Sequence, residues 1–107
     1  MTLQDFLDLR NLLSIAHHVR GRIRLKLDPR ILAHPAARAL SSLSGGKPES
    51  GLLSARVNIM ARSLVLEYDP GRITPEELET FLAGPDIGRA KELAVKVADL
   101  LGITLSA

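Results

Sequence analysis

The run Val19-Arg20-Gly21-Arg22-Ile23-Arg24-Leu25-Lys26-Leu27 alternates apolar and cationic positions from end to end, with glycine at one apolar place. Successive side chains of a β-strand point to opposite faces. The period of two therefore places Val19, Ile23, Leu25 and Leu27 on a buried face. Arg20, Arg22, Arg24 and Lys26 fall on the other. A helix would scatter both sets around its circumference. The reading is one strand, apolar on one side and carrying a row of four cations on the other.

Upstream, Leu3, Phe6, Leu7, Leu9, Leu12 and Leu13 recur at helical spacing behind a Thr2 cap, which predicts an amphipathic helix over 2–15. Downstream, Asp28-Pro29 ends the strand, Ile31 and Leu32 make a short helical turn, and His34-Pro35 opens a helix to about Leu43. Its core face is Ala36, Ala39, Leu40 and Leu43. Residues 45–51 form a loop rich in glycine. Two further strands follow. The first, Leu53–Ile59, has Leu53, Ala55, Val57 and Ile59 on one face. The second, Ser63–Tyr68, has Leu64, Leu66 and Tyr68 on one face and Glu67 on the other. Thr74-Pro75-Glu76-Glu77 is a capping box that starts a helix ending at Gly84. A last amphipathic helix spans Ile87 to Leu101, stopped by Gly102. The tail Ile103-Thr104-Leu105 is left open between a fourth strand and a docking arm.

Strand, helix, strand, strand, helix between residues 19 and 84 is a split βαβ. The expected fold is α+β: a ferredoxin-like sandwich, with an antiparallel sheet, helices on one face, and an amphipathic helix added at each end. One domain covers 1–107, with a terminal helix at 1–16, the core at 17–84, and the C-terminal helix and tail at 85–107. Two cores are not credible at 107 residues, whereas one core is.

Composition narrows the chemistry by exclusion. Hydrophobic residues make up 46% and charged residues 24%, as in ordinary globular chains, and the net charge is only +2. Cysteine is absent, which removes disulfides, thiolate metal sites and a cysteine nucleophile together. No apolar run approaches the roughly 18–20 residues that span a bilayer. Asp5 and Asp8 near the start are unlike a secretory signal, and a cytoplasmic location is expected.

The stretch His18 to Leu25, followed by Ala55-Arg56-Val57-Asn58 and Leu66-Glu67-Tyr68-Asp69-Pro70, resembles heavy-metal-associated domains. These are small metal-carrying modules of copper chaperones and of the N-termini of P-type metal ATPases. The likeness runs from about Ala16 to Gly84. It is nearest a divergent branch opening with a His-x-x-x-Gly-Arg-hydrophobic-Arg strand. It implies the ferredoxin-like fold and a link to metal or cation handling. The family's Cys-x-x-Cys metal motif has no counterpart here. The corresponding stretch is Asp28 to His34, without a thiol, so tight soft-metal binding is not carried over.

Candidate residues follow from charge and ligand chemistry. Arg20, Arg22, Arg24 and Lys26 form a candidate docking row for an acidic partner, a phosphate-rich ligand or a membrane surface. Glu67 on the neighbouring strand offsets one of them. His17, His18, Asp28 and His34 are the candidate ligands for zinc, copper or nickel, although adjacent histidines on extended chain point opposite ways. Neither a metal nor any other cofactor is expected. RNA binding needs aromatic side chains on the sheet, and Phe6, Tyr68 and Phe81 are the only aromatics. Acylphosphatases share such a fold and use an arginine and an asparagine, which Arg20 and Asn58 could supply. The glycine-rich anion loop they need is missing. No nucleophile elbow, phosphate loop or carboxylate pair marks an enzyme.

The leading expectation is a non-catalytic adaptor module, an accessory or regulatory piece of a larger assembly. It would meet a protein partner or a second copy through the added helices and the basic sheet face. Peripheral association with a membrane complex is compatible with it. A metal-binding protein using the histidines and Asp28 is the alternative, and an RNA-binding domain a weaker one.

Overall fold

The computed structural model describes residues 1–34 and 37–106. The predicted helix opening at Pro35 and the core position Ala36 lie outside the described residues. The described residues are α+β, with four antiparallel strands in one open sheet and four α-helices.

Helix α1 spans Leu3–Arg10 and is held by a capping box between Thr2 and Asp5. It stops well short of Ile15. The chain turns at Asn11-Leu12 and enters strand β1, Leu13–Val19. The broad apolar arc read as one helix was two patterns in succession. Helical spacing ends at Leu9, and Leu13 and Ile15 already alternate as a strand.

Strand β2 is Arg22–Leu27. The predicted single strand over 19–27 is in fact the last residue of β1, a turn and the whole of β2, which pair as a hairpin. Val19 pairs with Arg22, so Arg20-Gly21 is a two-residue turn. Gly21 there has φ +87°, a conformation glycine adopts without a Cβ penalty. The glycine stands where the alternation expects an apolar residue, and that hid the turn. Two consequences correct the sequence reading. Arg20 is in the turn and outside the ladder row. Val19 faces the open side beside Arg22 and is 49% exposed.

After a 3-10 turn at Pro29–Ala33, helix α2 covers Ala37–Ser41, and Leu40 and Leu43 reach the core. Strand β3, Leu52–Asn58, and strand β4, Ser63–Tyr68, form the second hairpin. An irregularity between Leu52 and Ser54 makes Leu53 the extra residue of a bulge. Leu52 is thus fully buried and Leu53 is 52% exposed, reversing the expected face. Ile59, also expected inside, lies in the turn beyond β3 and is exposed.

Helix α3, Pro75–Ala83, has the predicted Thr74–Glu77 capping box, and α4, Ile87–Leu101, ends at Gly102 in the left-handed region. Strand order is β1-β2-β4-β3. The strand carrying the cations lies beside Ser63–Tyr68, as its alternation requires, with Ile23 and Leu25 buried. The fourth strand is β1, upstream of the rest. Ser106 of the tail makes only an isolated parallel bridge to Thr2.

One hydrophobic cluster joins the inner face of the sheet to the helices. Most of the apolar stripe of α4 is spent inside the domain, with Ala90, Leu93, Ala94, Val97, Leu100 and Leu101 buried, whereas Ile87, expected in that stripe, and Val95 are exposed. Phe6, Leu7 and Leu9 of α1 are likewise buried, and Phe6 packs on Phe81 with ring centroids 5.2 Å apart. Neither end helix lies over the outer sheet face. Arg10, the last residue of α1, is buried. It donates from Nε to the Phe81 carbonyl and from a terminal nitrogen to the Gly84 carbonyl, each at 2.5 Å. These oxygens belong to the end of α3, whose own last turn holds no basic residue. Arg10 therefore supplies the cation that a helix C-terminus favours.

Candidate functional site

The outer face of the sheet is built by ladder pairing. Three rows cross the four strands: Val19-Arg22-Glu67-Ser54, then His17-Arg24-Val65-Arg56, then Ser14-Lys26-Ser63-Asn58. Each row carries at least one cation, because these positions alternate with the buried ones on every strand. Arg22, Arg24, Lys26 and Arg56 are all exposed. Arg56 completes the patch and was missed from sequence. Only the pairing of β3 against β4 sets it across Val65 from Arg24.

One acid shares this face. Glu67 stands opposite Arg22 in the ladder. Among the described residues, none of the four cations is in an ion pair. Two adjoining shallow depressions share Ala16 and Arg24. One, about 340 Å³, also has His17 and Arg22 in its lining. The other, about 420 Å³, reaches Lys26, Ala61, Arg62 and Ser63. Arg20 stands apart at the hairpin turn, beyond Arg22.

The spacing fixes the electrostatic cost. Alternate residues on one strand are about 6.5–7 Å apart. Two unit charges at that distance repel by about 0.6 kcal/mol in bulk water, and physiological salt halves this or better. The Arg22–Arg24 and Arg24–Lys26 neighbours together disfavour the free domain by about 0.5 kcal/mol on that arithmetic. An anionic surface laid on the face removes the repulsion and adds attraction.

The candidate metal ligands are dispersed. A register shift between Ile15 and His17 turns His17 to the outer face and His18 to the inner one. Asp28 caps the 3-10 turn at Pro29–Ala33, accepting from the Arg30 backbone N–H, and its two oxygens take the Arg30 guanidinium at 3.0 and 2.9 Å. Those bonds hold its carboxyl below the usual carboxylate range. His34 closes the far end of the same turn. Among the described residues, no group of three or more His, Cys, Asp or Glu is placed to hold a metal ion.

His18 instead joins a relay that runs from the buried Tyr68 to Glu79 at the surface. Its Nε2 lies 2.6 Å from the Tyr68 hydroxyl, and its Nδ1 lies 3.5 Å from a Glu79 carboxylate oxygen on α3. With the ring proton on Nδ1, facing Glu79, Nε2 is free to accept from the phenol. Burial pushes the Tyr68 phenol above its usual range, and the Glu79 carboxylate adds to the rise. Tyr68 is 1% exposed. The bond to His18 satisfies the polar tip of Tyr68 inside the core. One signal could have exposed it: a single tyrosine predicted to face the helices needs a buried partner for its hydroxyl.

Phe6, Tyr68 and Phe81 are all buried, so no Phe or Tyr ring lies on the open face, where His17 supplies an imidazole. Among the described residues, no helix is long and apolar enough to cross a membrane. Comparisons with family models, with curated proteins and with solved structures found no match to this chain.

Proposed function

We propose that this protein is a non-catalytic docking module whose open sheet face receives an acidic surface of a partner protein. The observation that carries the reading is the face itself: Arg22, Arg24, Lys26 and Arg56, unpaired among the described residues, with Glu67 the one acid beside them. Burial of the helix stripes within the core favours this face over the added helices as the place of contact.

The arrangement is read as ferredoxin-like. From β2 to α3 the succession is strand, helix, strand, strand, helix, and β1 takes the edge position beside β2. This supports the resemblance to thiol-free heavy-metal-associated domains, and with it a role as accessory or regulatory subunit of an assembly that handles metals or other cations. A cytoplasmic site of action goes with that role.

The test compares the parent with the Arg22→Ser/Arg24→Ser double variant in affinity isolation from the native host over a salt series. The variant should lose the parent's partners at low salt, and the parent should lose them at high salt. Its melting temperature should equal or exceed the parent's by about 2 °C, from the relieved repulsion. A double variant that retains the same partners at every salt concentration would refute the proposal.

A further inference from the structure

Exposed apolar side chains gather at one end of the sheet. Ile59 and Met60 lie in the turn joining β3 to β4, and Leu32 lies in the 3-10 turn after β2. They are 46%, 94% and 66% exposed, and none belongs to the buried cluster. Together they border a depression of about 270 Å³ floored by Leu27 and Ile31. The turn that carries Ile59 and Met60 is braced. Arg62 N–H donates to the Ile59 carbonyl at 3.0 Å, Ala61 N–H donates to the Asn58 side-chain oxygen at 3.0 Å, and Leu27 N–H donates to the Arg62 carbonyl at 2.9 Å. Met60 is thus held out into solvent by a fixed backbone.

Cations stand directly behind this tip. Arg62 borders both the apolar depression and the basic one that contains Arg24 and Lys26. Going away from the tip, the Lys26–Ser63 row comes first and the Arg24–Arg56 row about 7 Å further. Glu67 lies in the row furthest from the tip. Asp28 lies at this end, and both its oxygens are taken by Arg30.

We infer that the Leu32–Ile59–Met60 tip, backed by Arg62, Lys26 and Arg24, anchors the module on an anionic membrane surface. A leaflet offers this layering in the same order and on the same scale: apolar chains below, then a headgroup layer about 5–8 Å deep. Apolar side chains enter the acyl boundary while the cations remain among the lipid phosphates. The inference rests on the docking-module reading and adds the place where docking occurs. Partner contact and bilayer contact overlap at Arg24 and Lys26, with Arg22 and Arg56 towards the partner side and Arg62 and the apolar tip towards the bilayer.

Co-sedimentation of the full chain tests this with two vesicle types: phosphatidylcholine alone, and phosphatidylcholine with about one third phosphatidylglycerol. The parent should bind the anionic vesicles, bind neutral ones weakly, and dissociate as salt rises. Each of Arg62→Ser and Lys26→Ser should weaken binding about fivefold. Leu32→Ser/Met60→Ser should weaken it tenfold or more with its melting curve unchanged, since both side chains are exposed. Failure of the parent to bind anionic vesicles would overturn the inference, as would parent-like binding by the tip variant. Because vesicles contain no protein, either failure leaves the partner-docking proposal to its own test. If vesicles fail while the tip variant loses the host partners, the tip belongs to a protein interface and the membrane assignment is wrong.

Discussion

Replacing Arg10 by methionine isolates the contribution of one buried cation to the fit of α1 against α3. The parent side chain makes two charge-assisted bonds to the Phe81 and Gly84 carbonyls. Each such bond contributes about 1.5–3 kcal/mol, or 3–6 kcal/mol for the pair. Part of that is offset, because methionine has no guanidinium to desolvate and keeps most of the apolar stem. The carbonyls left behind lose a partner at a buried helix end. The net loss should be about 2–4 kcal/mol. In a domain of this size each kcal/mol moves the midpoint by about 4 °C, so the variant should melt about 8–16 °C below the parent. Arg10→Lys should recover less than half, since an ammonium on a flexible stem does not reproduce the fork that spans both oxygens. Differential scanning calorimetry at neutral pH reads all three proteins. A methionine variant melting within about 3 °C of the parent would refute the helix-end account, and a lysine variant equal to the parent would refute the fork.

Tyr68→Phe should cost about 1–3 kcal/mol by leaving the buried His18 Nε2 without its donor, although the ring packing is unchanged. Denaturant melts check this, and equal midpoints would mean that the Tyr68–His18 bond contributes nothing net. Glu77 sets an acid limb on stability. The Thr74 backbone N–H, and after it Lys96, hold its carboxyl below the usual carboxylate range. A carboxyl depressed in the folded state stabilises fully above its unfolded pKa, and the contribution fades as pH falls through the folded one. Glu77→Gln should accordingly melt below the parent at pH about 7, with the gap narrowing under pH about 4. A gap independent of pH would show that the charge is not what matters.

How much of this was legible in the sequence depends on what fixed each element. The β2 face was readable because strand parity alone separates Ile23 and Leu25 from Arg22 and Arg24. The capped start of α3 and the glycine stop of α4 were readable because local chemistry sets them. What escaped was set by pairing. The bulge at Ala16 turns His18 inward, and the one at Leu53 exchanges Leu52 for its neighbour. No residue type announces either. Of the basic patch, Arg22, Arg24 and Lys26 came from parity on their own strand. Arg20 was misassigned because Gly21 preserved the alternation through a turn. Arg56 became visible only once β3 was laid beside β4.

Thr2 and Ser106 form a bridge, and Ser106 N–H donates to the Met1 carbonyl at 2.8 Å. Thr2 caps α1 and Ser106 follows α4, so both emerge from the helical layer, behind the sheet as seen from its cationic side. Anything attached at either position, whether an affinity handle, a reporter or a neighbouring domain, departs from the back of the molecule. Immobilised through such an attachment, the protein would present Arg22, Arg24, Lys26 and the Met60 tip outward. A short peptide joining residues 1 and 106 would also allow the chain to be reopened at Arg20-Gly21. The four strands would then be visited in the sequence β2, β3, β4, β1, with the same sheet and the same face.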